Sequence, residues 1–155
     1  MQTYTAYYNS KIGWLEVTAT EEGLLAVAFV TNAPGKSVEN HPCVQECVAQ
    51  LDAYFRGARQ TFTVNLLLQG TAFQQQVCRQ LLTIPYGKTA SYQEIAAAIG
   101  KPNAVRAVGG ANGRNRIAII IPCHRVLGRN GKLVGYGGGL WRKEWLLQHE
   151  KALMA

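Results

Sequence analysis

Cys123, His124 and Arg125 stand together directly after Pro122, at the end of an apolar run formed by Ile117, Ala118, Ile119, Ile120 and Ile121. A thiol is a nucleophile only as its thiolate, and a neighbouring imidazole or guanidinium lowers its pKa. The triplet therefore reads as an activated cysteine. The plainer reading is a packing cysteine at a strand end. Adjacent side chains of an extended strand point to opposite faces, so Cys123 and His124 can cooperate only across a turn or through water. Pro122 is suited to such a turn. A basic imidazole works best when its far nitrogen is held by an acceptor. After residue 70 the carboxylates are Glu94, Glu144 and Glu150. Glu94 is used by a helix cap and Glu144 sits beside Arg142 and Lys143 in a solvated setting, which leaves Glu150.

The elements that must position these groups fall into two lobes, residues 1–70 and 71–155, with Gln69, Gly70 and Thr71 as the join. In the first lobe TYTAYY, WLEVTA and LLAVAFV read as a meander of antiparallel strands. Pro42 opens a helix whose Val44, Cys47, Val48, Leu51, Tyr54 and Phe55 recur at helical spacing up to Gly57. Phe62 to Leu68 reads as one more strand. His41, Cys43 and Cys47 are conceivable metal ligands, but Cys43 and Cys47 fall at ordinary helix positions and no fourth ligand accompanies them, so no metal site is expected.

In the second lobe Thr71 with Gln74, and Ser91 with Glu94, are capping boxes that open helices. The first runs through Phe73, Val77 and Leu81; the second runs through Ile95 and Ile99 to Gly100. Asn103 reads as the cap of a third helix, Ala104 to Ala111. Two short helices joined at a glycine, in a basic lobe, have the form of a helix-turn-helix. The third helix is built of small residues with Arg106 as its only charge, which fits close approach to a groove or close packing within the protein equally well. Residues 126–134 read as a hairpin turning at Asn130 and Gly131. The final helix starts at Leu140 and points Trp141, Trp145 and Leu146 toward a core. The fold class is α/β of the α+β kind.

Charge sharpens the division. The chain carries +7 in 155 residues, and twelve of its sixteen Lys and Arg follow residue 70, with only three of its nine Asp and Glu. Such a one-sided field suits a polyanionic partner. The four cysteines lack the spacing of a disulfide scaffold, and neither a secretory signal nor a membrane-length apolar stretch is present, so a reducing cytoplasm is expected.

IPCHRV, followed by GYGGG and KEWLLQHE and preceded by SYQEIAAAIGKPNAVRAVGGANGRN, resembles the methylated-DNA-protein cysteine methyltransferases, which take alkyl groups from the O6 atom of guanine. The resemblance covers residues 72 to 151. It implies a ribonuclease H-like first lobe and a winged-helix-like second lobe. It makes Cys123 the alkyl acceptor, His124 its water-mediated base and Glu150 the residue orienting that base. Asn115 would brace the cysteine turn, and Tyr92 would help rotate the nucleotide out and hydrogen-bond the departing guanine. Arg106 would fill the space the base leaves. Val126, Tyr136 and Gly137 would line the base pocket, and Gln74, Gln93, Lys101 and Arg129 would lie along the DNA.

The implied partner is double-stranded DNA carrying O6-alkylguanine, with O4-alkylthymine left open, and the implied form is a monomer that uses no cofactor and no metal. Many relatives have serine where this chain has Gly137, and no ligand set matches the zinc that some carry in the first lobe. Three other readings stay open at this stage: a damage sensor that transfers nothing, a transcription factor, and a cysteine hydrolase. A sensor would lack the acceptor cysteine, a transcription factor would need polar base-reading residues on the third helix, and a hydrolase would turn over.

Overall fold

A computed structural model describes residues 2–31 and 41–152. The chain divides into two compact units, one reaching to Leu68 and including Arg116–Ala118, the other formed by Gln69–Asn115 and the chain from Ile119 onward.

In the first unit, β1 (Tyr4–Ser10), β2 (Gly13–Thr20) and β3 (Gly23–Val30) form an antiparallel meander in the order β1-β2-β3. Alternation puts Leu15, Val17 and Ala19 of β2 on the buried face. Helix α1 (Pro42–Phe55) covers that face with Val44, Cys47, Leu51 and Tyr54, spaced one turn apart. His41 caps it, its Nδ1 accepting the Cys43 N–H at 3.2 Å, and Pro42 occupies the first turn where its missing N–H costs nothing.

The segment 62–68 is not a strand. Only Leu66 bridges to Leu24, in parallel sense, through Leu24 N–H to Asn65 O at 2.8 Å and Leu67 N–H to Leu24 O at 2.9 Å. Its backbone is satisfied otherwise: the Gln50 side chain accepts the Thr63 N–H at 2.9 Å and donates to the Thr63 hydroxyl at 2.9 Å. A side chain thus takes the place of a ladder.

In the second unit, α2 (Ala72–Leu81) and α3 (Tyr92–Ala98) both open on reciprocal capping boxes, Thr71 with Gln74 and Ser91 with Glu94. Helix α3 stops in a Schellman arrangement: Gly100 N–H reaches Ala97 O at 3.0 Å and Lys101 N–H reaches Ala96 O at 2.9 Å, with Gly100 at φ +77°. Helix α4 (Val105–Gly113) packs on both α2 and α3. Asn103 does not cap it. The helix begins one residue later than the composition indicates, so Ala104 holds the cap position and no side chain fills it.

Two further expectations are corrected. Residues 126–134 do not form a hairpin: β5 (Val126–Leu127) pairs in parallel with β4 (Ala90–Ser91). The turn itself is real, with Asn130 at φ 61° and Gly131 at φ 77°, but only Gly128 N–H to Lys132 O at 2.8 Å spans it. Helix α5 (Leu140–His149) buries Lys143, Leu146 and Leu147, one turn apart. Trp141 lies off that stripe and is 57% exposed, with the Arg142 guanidinium 4.6 Å from its ring centre.

Candidate active site and nucleic-acid interface

The apolar run ahead of Cys123 is buried but turns instead of extending. Ile119 sits at φ 72°, a left-handed conformation that costs a β-branched residue about 1–3 kcal/mol, and its side chain is only 1% exposed. Pro122, at φ −81° and ψ 62°, is the centre of an inverse γ-turn closed by Cys123 N–H to Ile121 O at 2.8 Å. A single 3-10 turn, Cys123–Arg125, follows. This solves the problem of adjacent side chains on opposite faces, because a helical turn fans the three side chains around one end of the unit.

Each is then held separately. Asn115 Nδ2 donates to Ile121 O at 2.8 Å, and the Asn115 side chain also hydrogen-bonds the thiol. Asn112 Nδ2 donates to Cys123 O at 3.3 Å. His124 Nε2 lies 2.8 Å from Glu150 Oε2, with both side chains fully buried. Arg125 clamps the same carboxylate, Nε to Oε1 at 2.8 Å and Nη2 to Oε2 at 3.0 Å, and its Nη1 donates to Ile84 O at 2.7 Å.

Burial works against the Glu150 carboxylate, but its bonds to His124 and Arg125 prevail and bring its pKa down to about 2. Burial holds the His124 imidazole neutral by lowering its pKa. An ionised Glu150 needs a donor, which puts the imidazole proton on Nε2. Nδ1 then carries a lone pair, is buried, and has no hydrogen-bond partner among the described residues.

The thiol departs from the expectation that its two neighbours lower its pKa. Burial pushes Cys123 up to about 11, against the pull of the Asn115 hydrogen bond and the Lys143 charge. The reason is that His124 is neutral and the charge of Arg125 is spent on Glu150. At neutral pH the resting group is therefore the thiol.

Tyr92 opens α3 beside this turn. Its hydroxyl donates to Val134 O at 3.2 Å, its ring faces Gly109 of α4, and burial raises its pKa. Val126 is fully buried in β5. The Tyr136 hydroxyl is buried without a partner among the described residues, whereas Gly137 is exposed.

A groove of about 600 Å³ runs over α4, lined by Phe73 and Gln74 of α2 and by Arg106, Gly110 and Arg114. Lys101 adjoins it, its Nζ 5.2 Å from the Phe73 ring centre and 3.3 Å from Gln76 Oε1. Gln93 and Arg129 are exposed and do not line this groove. The structure thus gathers Cys123, His124, Asn115, Tyr92 and Glu150 in one neighbourhood and sets Gln74 and Arg106 in another.

Sequence reasoning missed Arg125 as the clamp on Glu150, Asn112 beneath Cys123, and Arg114 in the groove. It also missed Lys143, although a lysine in step with Leu146 and Leu147 on an apolar stripe is a visible signal. Among the described residues no three His, Cys, Asp or Glu side chains form a group that could hold a metal ion. No helix there is long and apolar enough to cross a membrane.

Fold and site define an α/β protein of two units in which a helical, arginine-bearing unit carries a buried cysteine backed by a histidine, a glutamate and an arginine. Residues 72–152 match the family profile described as the DNA binding domain of 6-O-methylguanine DNA methyltransferase, and residues 3–68 match that of its ribonuclease-like domain. A methylated-DNA–protein-cysteine methyltransferase of Methanosarcina acetivorans is 49% identical over 152 residues, 95% of this chain and 97% of that one.

The crystal structure of Mycobacterium tuberculosis O6-methylguanine methyltransferase superposes with a TM-score of 0.86 at 47% identity, covering 97% of this chain and 93% of the other. That of Mycobacterium tuberculosis OGT in complex with DNA gives 0.84 at 49% identity, covering 94% and 92%. The chain belongs to the 6-O-methylguanine DNA methyltransferase family.

Proposed function

We propose that Cys123 is the acceptor in this family's reaction: the protein is a DNA-repair methyltransferase that moves an alkyl group from the O6 atom of guanine in DNA onto itself. The observation that carries the assignment is the environment of one sulfur. Cys123 is bonded by Asn115 and set on the same 3-10 turn as a neutral His124, which is itself backed by Glu150 and Arg125.

The target carbon is attached to a base stacked inside a duplex, so the nucleotide must swing out before a sulfur can reach it. Arg106, exposed on α4, would occupy the space left behind, with Gln74, Gln93, Lys101 and Arg129 along the strands. Val126, Tyr136 and Gly137 would receive the base. His124 Nδ1, through a water, takes the thiol proton as the sulfur attacks in line. One S–C bond forms and one C–O bond breaks. The electron pair of that bond leaves with guanine, which is reprotonated with the Tyr92 hydroxyl as the nearby donor.

The product is a thioether with no leaving group, so each molecule acts once. The atoms balance without cofactor or metal. Burial that raises the thiol pKa slows its reaction with stray electrophiles at neutral pH, which suits a protein that can react only once. The division of labour places DNA and acceptor in residues 71–155. Four free cysteines suit a reducing cytoplasm.

Incubation with a duplex containing O6-methylguanine should add one methyl group to the intact mass, on the peptide holding Cys123, and Cys123→Ala should gain nothing. Tight binding with unchanged mass would favour a damage sensor instead. Multiple turnover on esters or peptides would favour a hydrolase.

A further inference from the structure

Lys143 is the one charged residue of α5's buried stripe, and its side chain has no exposure. Among the described residues no carboxylate pairs with it. Its Nζ donates to Val134 O at 2.8 Å and Gly135 O at 3.1 Å, which uses two of its three N–H donors. The Val134 carbonyl is shared, because it also accepts the Tyr92 hydroxyl at 3.2 Å. Nζ lies 5.8 Å from the centre of the Tyr92 ring.

A buried ammonium without a counter-ion is costly, and desolvation brings its pKa down to about 8. Cys123 is the group that opposes this once it ionises: thiol and ammonium each shift the other toward its charged form. The other groups nearby do not supply the missing charge. His124 on the 3-10 turn is neutral, and Tyr92 and Tyr136 have raised pKa values. On α5 Arg142 turns to Gly138 O and Trp141, and Glu150 just past its end is taken by His124 and Arg125.

We propose that Lys143 is a positioning residue for the transfer reaction, whose counter-ion is the Cys123 thiolate itself and whose bonds to Val134 and Gly135 hold the Tyr92 hydroxyl in place. The charge pair exists only while the sulfur is ionised, so Lys143 favours the reactive form over the resting one. This rests on the acceptor role of Cys123 given above.

Two readouts separate the two ideas. Iodoacetamide labelling of the Cys123 peptide, followed by mass against pH, reports the thiolate whether or not DNA is repaired. Methyl transfer from an O6-methylguanine duplex reports the reaction. Lys143→Met, of similar length and without charge, should slow labelling about tenfold at pH 7. The gap should close as pH rises through about 8 and the wild-type lysine loses its own proton. Methyl transfer should fall by at least the same factor, and Lys143→Arg should recover most of it.

Lys143→Gln serves the same comparison if the methionine variant does not fold. Labelling profiles of wild type and uncharged variant that run parallel at all pH values would overturn the proposal and leave Lys143 a packing residue. A wild type that labels as expected but transfers no methyl group would overturn the acceptor reading instead.

Discussion

Arg125 meets Glu150 through two hydrogen bonds, Nε to Oε1 at 2.8 Å and Nη2 to Oε2 at 3.0 Å, with both side chains buried. Truncating one partner leaves the other charge buried and unpaired, which costs about 3–5 kcal/mol. Arg125→Met should therefore lose about that much in urea unfolding. A loss below about 1 kcal/mol would mean that Glu150 is adequately held by His124 alone.

Acid should expose the same carboxylate. The Glu150 pKa is about 2 in the folded protein against a usual 4.5, so between those values the unfolded chain binds more protons. The stabilisation is complete above about pH 4.5 and is lost as pH falls through about 2, amounting to something on the order of 3 kcal/mol. The neutral His124 adds a contribution of the same sign below its usual 6.5. Glu150→Gln should flatten the acid limb of a stability-against-pH curve. It should also slow methyl transfer about 100-fold or more, since the amide oxygen that replaces the carboxylate carries no charge to stabilise the imidazole as it takes the thiol proton.

Asn115 is predicted to separate bracing from chemistry. Asn115→Ala removes a donor from Ile121 O, which still accepts the Cys123 N–H, so unfolding free energy should drop by only about 1 kcal/mol. The thiol also loses the hydrogen bond that lowers its pKa. Labelling of Cys123 and methyl transfer should both become slower. Unchanged rates in a destabilised variant would make Asn115 a brace only.

DNA binding should respond differently at two exposed cations. A phosphate contact released by Lys101→Gln should reduce the slope of log K against log salt by about 0.9. Arg106→Ala, on the groove over α4, should leave that slope nearly unchanged and instead lower methyl transfer more than it lowers binding, as measured by anisotropy and single-turnover mass. Equal effects on slope from both variants would place Arg106 on a phosphate.

Much of this architecture is legible in the chain because its causes are local. The meander shows in its two-residue alternation, and the starts of α2 and α3 show in Thr71 with Gln74 and Ser91 with Glu94, three residues apart. The segment 62–68 misleads because its backbone pairs with a strand only around Leu24, while Thr63 N–H goes to the Gln50 side chain, 13 residues earlier. Trp141 misleads because Leu140, Trp141, Trp145, Leu146 and Leu147 allow more than one apolar stripe, and packing selects the one through Lys143.

At the site, the cluster of Cys123, His124 and Arg125 is visible, but the use of each is not. The arginine's partners lie 25 and 41 residues away in Glu150 and Ile84 O. With its charge spent there and the sulfur buried, the thiol pKa rises where adjacency alone predicts a fall.

Glu150 follows the last turn of α5, so the histidine's support is anchored to the seating of one short helix. Fraying of α5 would withdraw Glu150 from His124 and Lys143 from its carbonyls together. Reactivity should therefore fade at temperatures or denaturant concentrations where the rest of the unit is still folded. The competence of the sulfur becomes a local thermometer for how firmly that helix is docked.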